Sequence, residues 1–182
     1  MTTSAGQAAA LRAQLENGSL AGNWALDPAR STATLRSKSM WGLAPVKGVF
    51  GRLEGEGTIS PAGEVTGRIA LASDALDTKN KKRDTHLRSA DFFLAEKYPA
   101  ITFTVDKLVP ADQGVTVSGV LTVRETSRPI SFPATVAQAA DGEVVLDATV
   151  RVDRSEFGLT WNQMGMASMK NTITIHAVFT RS

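Results

Sequence analysis

The chain of 182 residues has no cysteine, only two histidines, one tyrosine and 6% aromatic residues. Without cysteine there is no disulfide framework, no thiolate zinc site and no cysteine nucleophile. The histidines, His86 and His176, lie far apart in sequence, so neither has a histidine partner at metal-ligand spacing and no metal is expected. Charge of one sign is scarce as well. Twenty basic residues against eighteen acidic leave +2, a balance that does not call for nucleic acid as a partner. No apolar run approaches the roughly 20 residues of a membrane helix, and Met1 to Ala10 lacks the basic start and apolar stretch of a secretory leader. The expected compartment is the cytoplasm. Gly55-Glu56-Gly57 lacks the third glycine and helix of a dinucleotide site, and neither a phosphate-loop Gly-Lys-Ser/Thr nor a Gly-x-Ser-x-Gly elbow occurs.

What is present is alternation. Val65, Gly67, Ile69 and Leu71 share one face of an extended segment, as do Ile101, Phe103 and Val105. The pattern continues with Val115, Val117, Gly119, Leu121 and Val123, then with Ile130, Phe132, Ala134 and Val136. Val144, Leu146, Ala148, Val150 and Val152 follow, and Ile173, Ile175, Ala177 and Phe179 close the series. A period of two is that of strands with one buried and one wet face. Turn residues at Ser60 to Gly63, Pro110 to Gly114 and Ala140-Asp141-Gly142 separate the runs as hairpins. Closing such strands into a barrel removes exposed edges, and about eight of them enclose room for a ligand. The expected architecture is therefore all-β, an eight-stranded antiparallel barrel over residues 22–182. Residues 1–21 form an extension in which Ala5 to Asn17 is a short helix, either a cover over one barrel end or a frayed tail.

Two stretches break the rhythm. Asp74 to Lys97 carries five basic residues from Lys79 to Arg88 against Asp84, followed by Phe92 and Phe93, and suits a loop with a short helix near the mouth. Arg154 to Lys170 carries Phe157, Leu159, Trp161, Met164, Met166 and Met169, either an adaptable lid or a plug of ordinary core. The basic run reads as a receptor for an anionic head group or as a solvated loop. His176 lies opposite Ile175 and Ala177 and reads as an outer-face residue. Small inward residues, Gly48, Gly55, Gly57, Gly67, Gly119, Ala134 and Ala148, suggest unfilled space inside, although a strand glycine taken singly more often marks a bulge or bend.

Arg83-Asp84-Thr85-His86-Leu87-Arg88-Ser89-Ala90-Asp91-Phe92-Phe93, continuing through Glu96-Lys97-Tyr98-Pro99-Ala100-Ile101-Thr102-Phe103, resembles the YceI-like family of lipocalin-like, polyisoprenoid-binding barrels. Trp24 to Asp27, Val46 to Phe50, Gly119 to Arg124 and Arg154 to Gly158 extend the resemblance over almost all of 22–182. It implies eight strands, a helical excursion at the mouth, and a long amphiphile such as an isoprenoid quinone, a polyprenyl phosphate or a fatty-acid-like lipid. It implies no enzymatic step. Arg30-Ser31 and Met40-Trp41 stand where relatives often have histidines, and Arg30 reads as an anion contact or a surface replacement.

The candidate ligand-binding residues are Leu35, Phe50, Ile69, Leu71, Phe103, Leu121, Phe132, Val150 and Phe179 as wall, and Phe92, Phe93, Phe157, Trp161 and Met164 as mouth. Arg83 and His86 are the head-group contacts. The expected function is binding or carriage of a lipid-like small molecule, with no catalytic residue and no required cofactor beyond a bound isoprenoid or other lipid. Two alternatives stand beside it. One is a barrel enzyme using Asp84 and His86 as acid and base. The other is an interaction module that reaches a protein or membrane surface through the basic loop and the N-terminal helix. A homodimer and transient membrane contact are further expectations.

Overall fold

The computed structural model describes residues 4–138 and 142–182, so Ala140 and Asp141 of the last expected turn lie outside the described residues. Helix α1 (Ser4–Glu16) leads into strands β1 (Gly22–Leu26), β2 (Thr32–Ser39), β3 (Ala44–Phe50), β4 (Leu53–Ile59), β5 (Val65–Ala72) and the two-residue β6 (Leu76–Asp77). Helix α2 (Lys81–Arg88) follows, then β7 (Ala100–Pro110), β8 (Val115–Val123), β9 (Thr126–Ala137), β10 (Glu143–Asp153) and β11 (Lys170–Arg181). All ladders are antiparallel. Neighbours run β1, β4, β5, β7, β8, β9, β10, β11, and the ring closes because β1 also pairs with β11 through Trp24 and Arg181. The eight-stranded antiparallel barrel is thus present, lipocalin-like in form.

Two staves of the ring are long strands that bend. After a turn at residues 27–31 the chain returns as β2 beside the same β11, Leu35 opposite Ile173, and β4 continues β3 past Gly51-Arg52. The bent pair makes the wall taller on one side. There β3, paired with β2 along its other edge, extends past the end of the β4 and β5 ladder and meets only β6 on its free side, Phe50 opposite Leu76. The segment from Ser73 to Pro99, with α2, replaces the missing wall and makes the mouth.

The opposite end is sealed. Leu11 and Leu15 lie one turn apart on α1 and bury with Leu20 against Trp24, Val115, Val117 and Ala134. Asn17-Gly18 ends the helix, Gly18 at φ +75° as a left-handed stop. Arg181 then pins the connection to β1, donating to the carbonyls of Ala21 (2.6 Å) and Ser19 (2.8 Å) and stacking 4.8 Å over the Trp24 ring. The cover, not the frayed tail, is what the chain builds. With its leucines spent on the barrel end, α1 has no free amphipathic face for a membrane.

The small inward residues serve both of the roles expected of them, close approach of neighbouring chain and open space. A methyl group at Gly48 would lie 2.6 Å from Leu76 Cδ1, and one at Gly67 would lie 2.7 Å from the Glu56 carbonyl oxygen. At Gly55 it would crowd Leu26 at 3.2 Å, and at Gly57 the Thr66 carbonyl at 3.3 Å. Gly119 is tightest: its Cβ would collide with the Thr104 carbonyl oxygen and come within 2.8 Å of Phe103 Cζ, beside the register shift between Val105 and Lys107. These glycines admit neighbouring backbone and side chains, and Gly48, Gly57 and Gly67 also border open space inside the barrel. Ala134 and Ala148 are buried in the sealed-end core, Ala148 also bordering open space inside the barrel. Gly119→Ala is expected to lower the unfolding free energy by about 2 kcal/mol, the usual cost of overpacking against backbone that cannot move aside, as read from urea unfolding curves.

Candidate functional site

Space inside the barrel is apolar and divided. A cavity of about 270 Å³ opens at the mouth, a void of about 60 Å³ lies at the waist, and one of about 110 Å³ lies under α1. Ile101, Leu121, Val152 and Ile173 border both the first and second, while Ile69, Val105, Val117 and Leu146 border both the second and third. The interior is therefore a channel interrupted by side chains. Phe103 and Phe132 sit at its waist with ring centroids 5.2 Å apart.

The expected wall and mouth residues distribute over these spaces. Leu35, Phe50, Leu121, Phe92, Phe93, Phe157, Trp161, Arg83 and His86 line the mouth cavity. Ile69, Leu71, Phe103, Phe132 and Val150 line the waist, and Phe179 the void under α1. Met164 does not close the mouth. It stands on a turn at φ +55° with its side chain pointing out, 76% exposed, because that backbone conformation turns it away from the barrel. Asp84 and His86 do not form a pair either. Asp84 is buried and accepts from the Thr78 backbone N–H (3.0 Å) and hydroxyl (2.5 Å), whereas His86 Nε2 meets Asp91 at 2.8 Å. Residues two apart on a helix diverge, which is why nearness in sequence misled.

Helix α2 delivers Arg83 and His86 to the rim. Asn80 caps it by accepting from the Arg83 N–H at 3.0 Å. Arg83 donates from Nε to the Thr78 hydroxyl (2.8 Å) and from Nη2 to the Thr78 carbonyl (2.9 Å), so Asp84, Thr78 and Arg83 form one chain of hydrogen bonds. The His86 ring stands edge-on to Phe92 (5.1 Å) and Trp161 (4.4 Å). Arg124, at the β8 to β9 turn, holds this corner by donating to the carbonyls of Ala90 (2.9 Å) and Phe92 (3.2 Å).

Arg154 was not among the expected site residues, and it organises the other half of the mouth. It is buried, with Nε donating to Ser168 O (3.0 Å), Nη1 to Leu159 O (2.6 Å) and Trp161 O (2.8 Å), and Nη2 to Ala167 O (3.2 Å). Its guanidinium lies 5.4 Å from the Phe92 ring centroid. Burial pulls its pKa below the ordinary arginine value, yet an arginine so placed keeps its charge. Among the described residues it makes no ion pair. The signal was in the alternation: Ala148, Val150 and Val152 face inward, and Arg154 is the next residue of that series. Asp153 caps the turn that follows, accepting from Ser155 N–H at 2.9 Å and from its hydroxyl, bonds that hold the Asp153 carboxyl below the usual range.

The electrostatics are one-sided. The ionisable residues lining the mouth cavity are Lys38, Arg83, His86 and Arg154, and no aspartate or glutamate is among them. The other candidate cation is elsewhere. Arg30 is bound to Asp27 and Glu143, each at 2.7 Å, in an exposed ion pair outside all three spaces. His176 pairs with Asp147 on the outer face. No group of acidic or histidine side chains suited to a metal occurs among the described residues, and no described helix is long and apolar enough to cross a membrane.

Fold and cavity together define a closed antiparallel barrel with an apolar interior that opens at one cationic end. A YceI-like domain model matches residues 24–180, and the chain belongs to the YceI-like family. A UPF0312 protein of Vibrio cholerae is 28% identical over 148 residues, covering 76% of this chain and 78% of that protein. Another, from Staphylococcus aureus, is 28% identical and covers 78% and 84%. Burkholderia cenocepacia BcnA superposes with a TM-score of 0.76 at 23% identity, covering 84% and 98%. A polyisoprenoid-binding domain from Saccharophagus degradans gives 0.70 at 16% identity, covering 87% and 98%. At those identities both report the shared fold.

Arg154→Met leaves up to four carbonyls without their donor, and unmade buried hydrogen bonds are costly. The expected result is a loss of about 3 kcal/mol in urea unfolding, with hydrogen exchange at residues 159–169 accelerating before the rest of the barrel.

Proposed function

We propose that the protein binds and carries a long apolar amphiphile with an anionic head, tail inside the barrel and head at the mouth. The observation that carries this reading is the mouth cavity itself: hydrocarbon walls, four cationic or basic residues in the lining and no carboxylate. A quinone head needs no such charge. A carboxylate or phosphate does, and guanidinium donors suit either. Burying each methylene of the tail contributes about 0.8 kcal/mol before the cost of ordering it. The cavity of about 270 Å³ lies just under the common range for small-molecule sites, so a long tail extends past Leu121 toward the waist void as side chains there rotate. The name of the Saccharophagus degradans domain, polyisoprenoid binding, fits the same class of ligand. Acid and base chemistry by Asp84 and His86 has no geometric support, since each is committed to a different partner.

Displacement of a fluorescent fatty acid tests the reading. A long-chain carboxylate is expected to compete at least tenfold better than the alcohol of equal length, one charged hydrogen bond being worth about a factor of ten or more. Arg83→Ala should erase that preference while the alcohol competes as before. Failure of the probe to bind, together with no lipid in solvent extracts of the purified protein, overturns the proposal.

A further inference from the structure

The barrel rim carries an apolar feature that the cavity does not use. Among the described residues, six large apolar side chains are strongly exposed, and four of them sit on two adjoining tips: Met40 (54%), Trp41 (62%) and Leu43 (83%) between β2 and β3, and Met164 across from them. The tips are tied together. The Trp41 indole N–H donates to Met164 O at 3.1 Å and its backbone N–H to Met166 O at 3.3 Å. Met40, Trp41 and Met164 all have positive φ, at 51°, 57° and 55°, an uncommon backbone for bulky residues that here holds their side chains away from the barrel. None of Met40, Trp41, Leu43 or Met164 lines any of the three spaces described above.

The hairpin that carries the first tip has charge of one sign only. Residues 32–50 contain Arg36, Lys38 and Lys47 and no acidic residue. Arg36 and Lys47 are directly opposite each other in the β2 to β3 register, both exposed, and none of the three cations makes an ion pair among the described residues. Like charges set across a ladder repel each other, so this arrangement works against the isolated barrel and in favour of an anionic partner.

We propose that Met40, Trp41, Leu43 and Met164 insert together into the interfacial layer of an anionic lipid bilayer while Arg36, Lys38 and Lys47 meet its phosphates, which sets the cavity mouth on the membrane surface. Indole rings favour that layer, where one edge is wet and the body is apolar. A second copy of the chain is a poor occupant, because a symmetric contact would bring the three cations against their own counterparts. A folded protein partner is also a poor fit, since a stable interface takes about 800 Å² from each side and two short tips offer far less. The docking rests on the carrier reading only for its purpose, the bilayer being the source or destination of the ligand.

Flotation with phosphatidylcholine vesicles, with and without phosphatidylglycerol, tests the proposal. The protein should float with the anionic vesicles and much less with the neutral ones. Trp41→Ser combined with Leu43→Asp should abolish flotation. Arg36→Ser combined with Lys47→Ser should weaken it about 25-fold, each cation near an anionic surface contributing about a factor of five. Both double variants should remain folded by circular dichroism, the charge variant melting no lower than the wild type once the repulsion is gone, and without vesicles both should keep wild-type binding of the fluorescent fatty acid. Absence of flotation by the wild type, or flotation undiminished in both variants, overturns the docking. So does a concentration-dependent dimer in sedimentation that the tip variant abolishes, because the patch would then serve self-contact. Vesicle binding without fatty-acid binding refutes carriage and leaves docking standing; the reverse refutes docking alone.

Discussion

The mouth of this barrel is built around one buried positive charge that makes no ion pair among the described residues. A guanidinium removed from water is expensive unless its donors are met, and Arg154 meets them by drawing the chain from Leu159 to Ser168 around itself through four carbonyl oxygens. That wrapping decides where Trp161 lies, and Trp161 with Phe92 fixes the plane of the His86 ring from two sides. Phe92 in turn rests under Arg154 and is held from behind by Arg124. Two excursions far apart in sequence therefore form a single structure at the rim. Carbonyl oxygens carry partial charges, so the wrapping satisfies hydrogen bonds without cancelling the arginine's full charge.

The two barrel ends solve different problems. At the sealed end α1 brings leucines to a ring that its own strands leave open, and it does so from residues outside the matched 24–180 span. At the mouth the deficit is a missing stretch of wall beside β3, and the chain fills it with a helix whose residues are largely polar. A polar helix cannot stabilise itself by burial. Helix α2 stays because Asn80 caps its start, Asp84 is anchored to Thr78, and Leu87 packs on the core. One end is thus apolar throughout, and the other has an apolar floor with a polar, cationic rim, which is the asymmetry an amphiphile needs.

Strand faces were readable in the sequence because a period of two survives any error in register. Val115 to Val123 and Val144 to Val152 have the inward faces that their alternation gives. Arg154 obeyed the same rule one step beyond the strand, and it escaped notice because a charged residue after a hydrophobic run looks like the start of a loop. The glycines were legible only in part. A missing side chain reads as space, yet whether backbone from the next strand moves into that space depends on bulges and close approaches, such as Thr104 over Gly119, that composition does not record. Met164 shows a third limit. Its residue type suits an interior, but a positive φ at a single turn reverses its direction.

That reversal bears on how the rim works as a whole. Met40, Trp41 and Met164 could each have added apolar contact inside a mouth only a few residues away, and burial there would have favoured the folded state. Instead the chain adopts costly backbone at all three positions and leaves them in water. Consistent local choices across a sequence are the ordinary mark of a stable fold, and places where they are broken together usually serve something other than stability. The broken choices here coincide with unpaired cations and with the edge of a lipid-sized cavity. Stability of the barrel does not require that coincidence; contact with a surface that is both oily and anionic does.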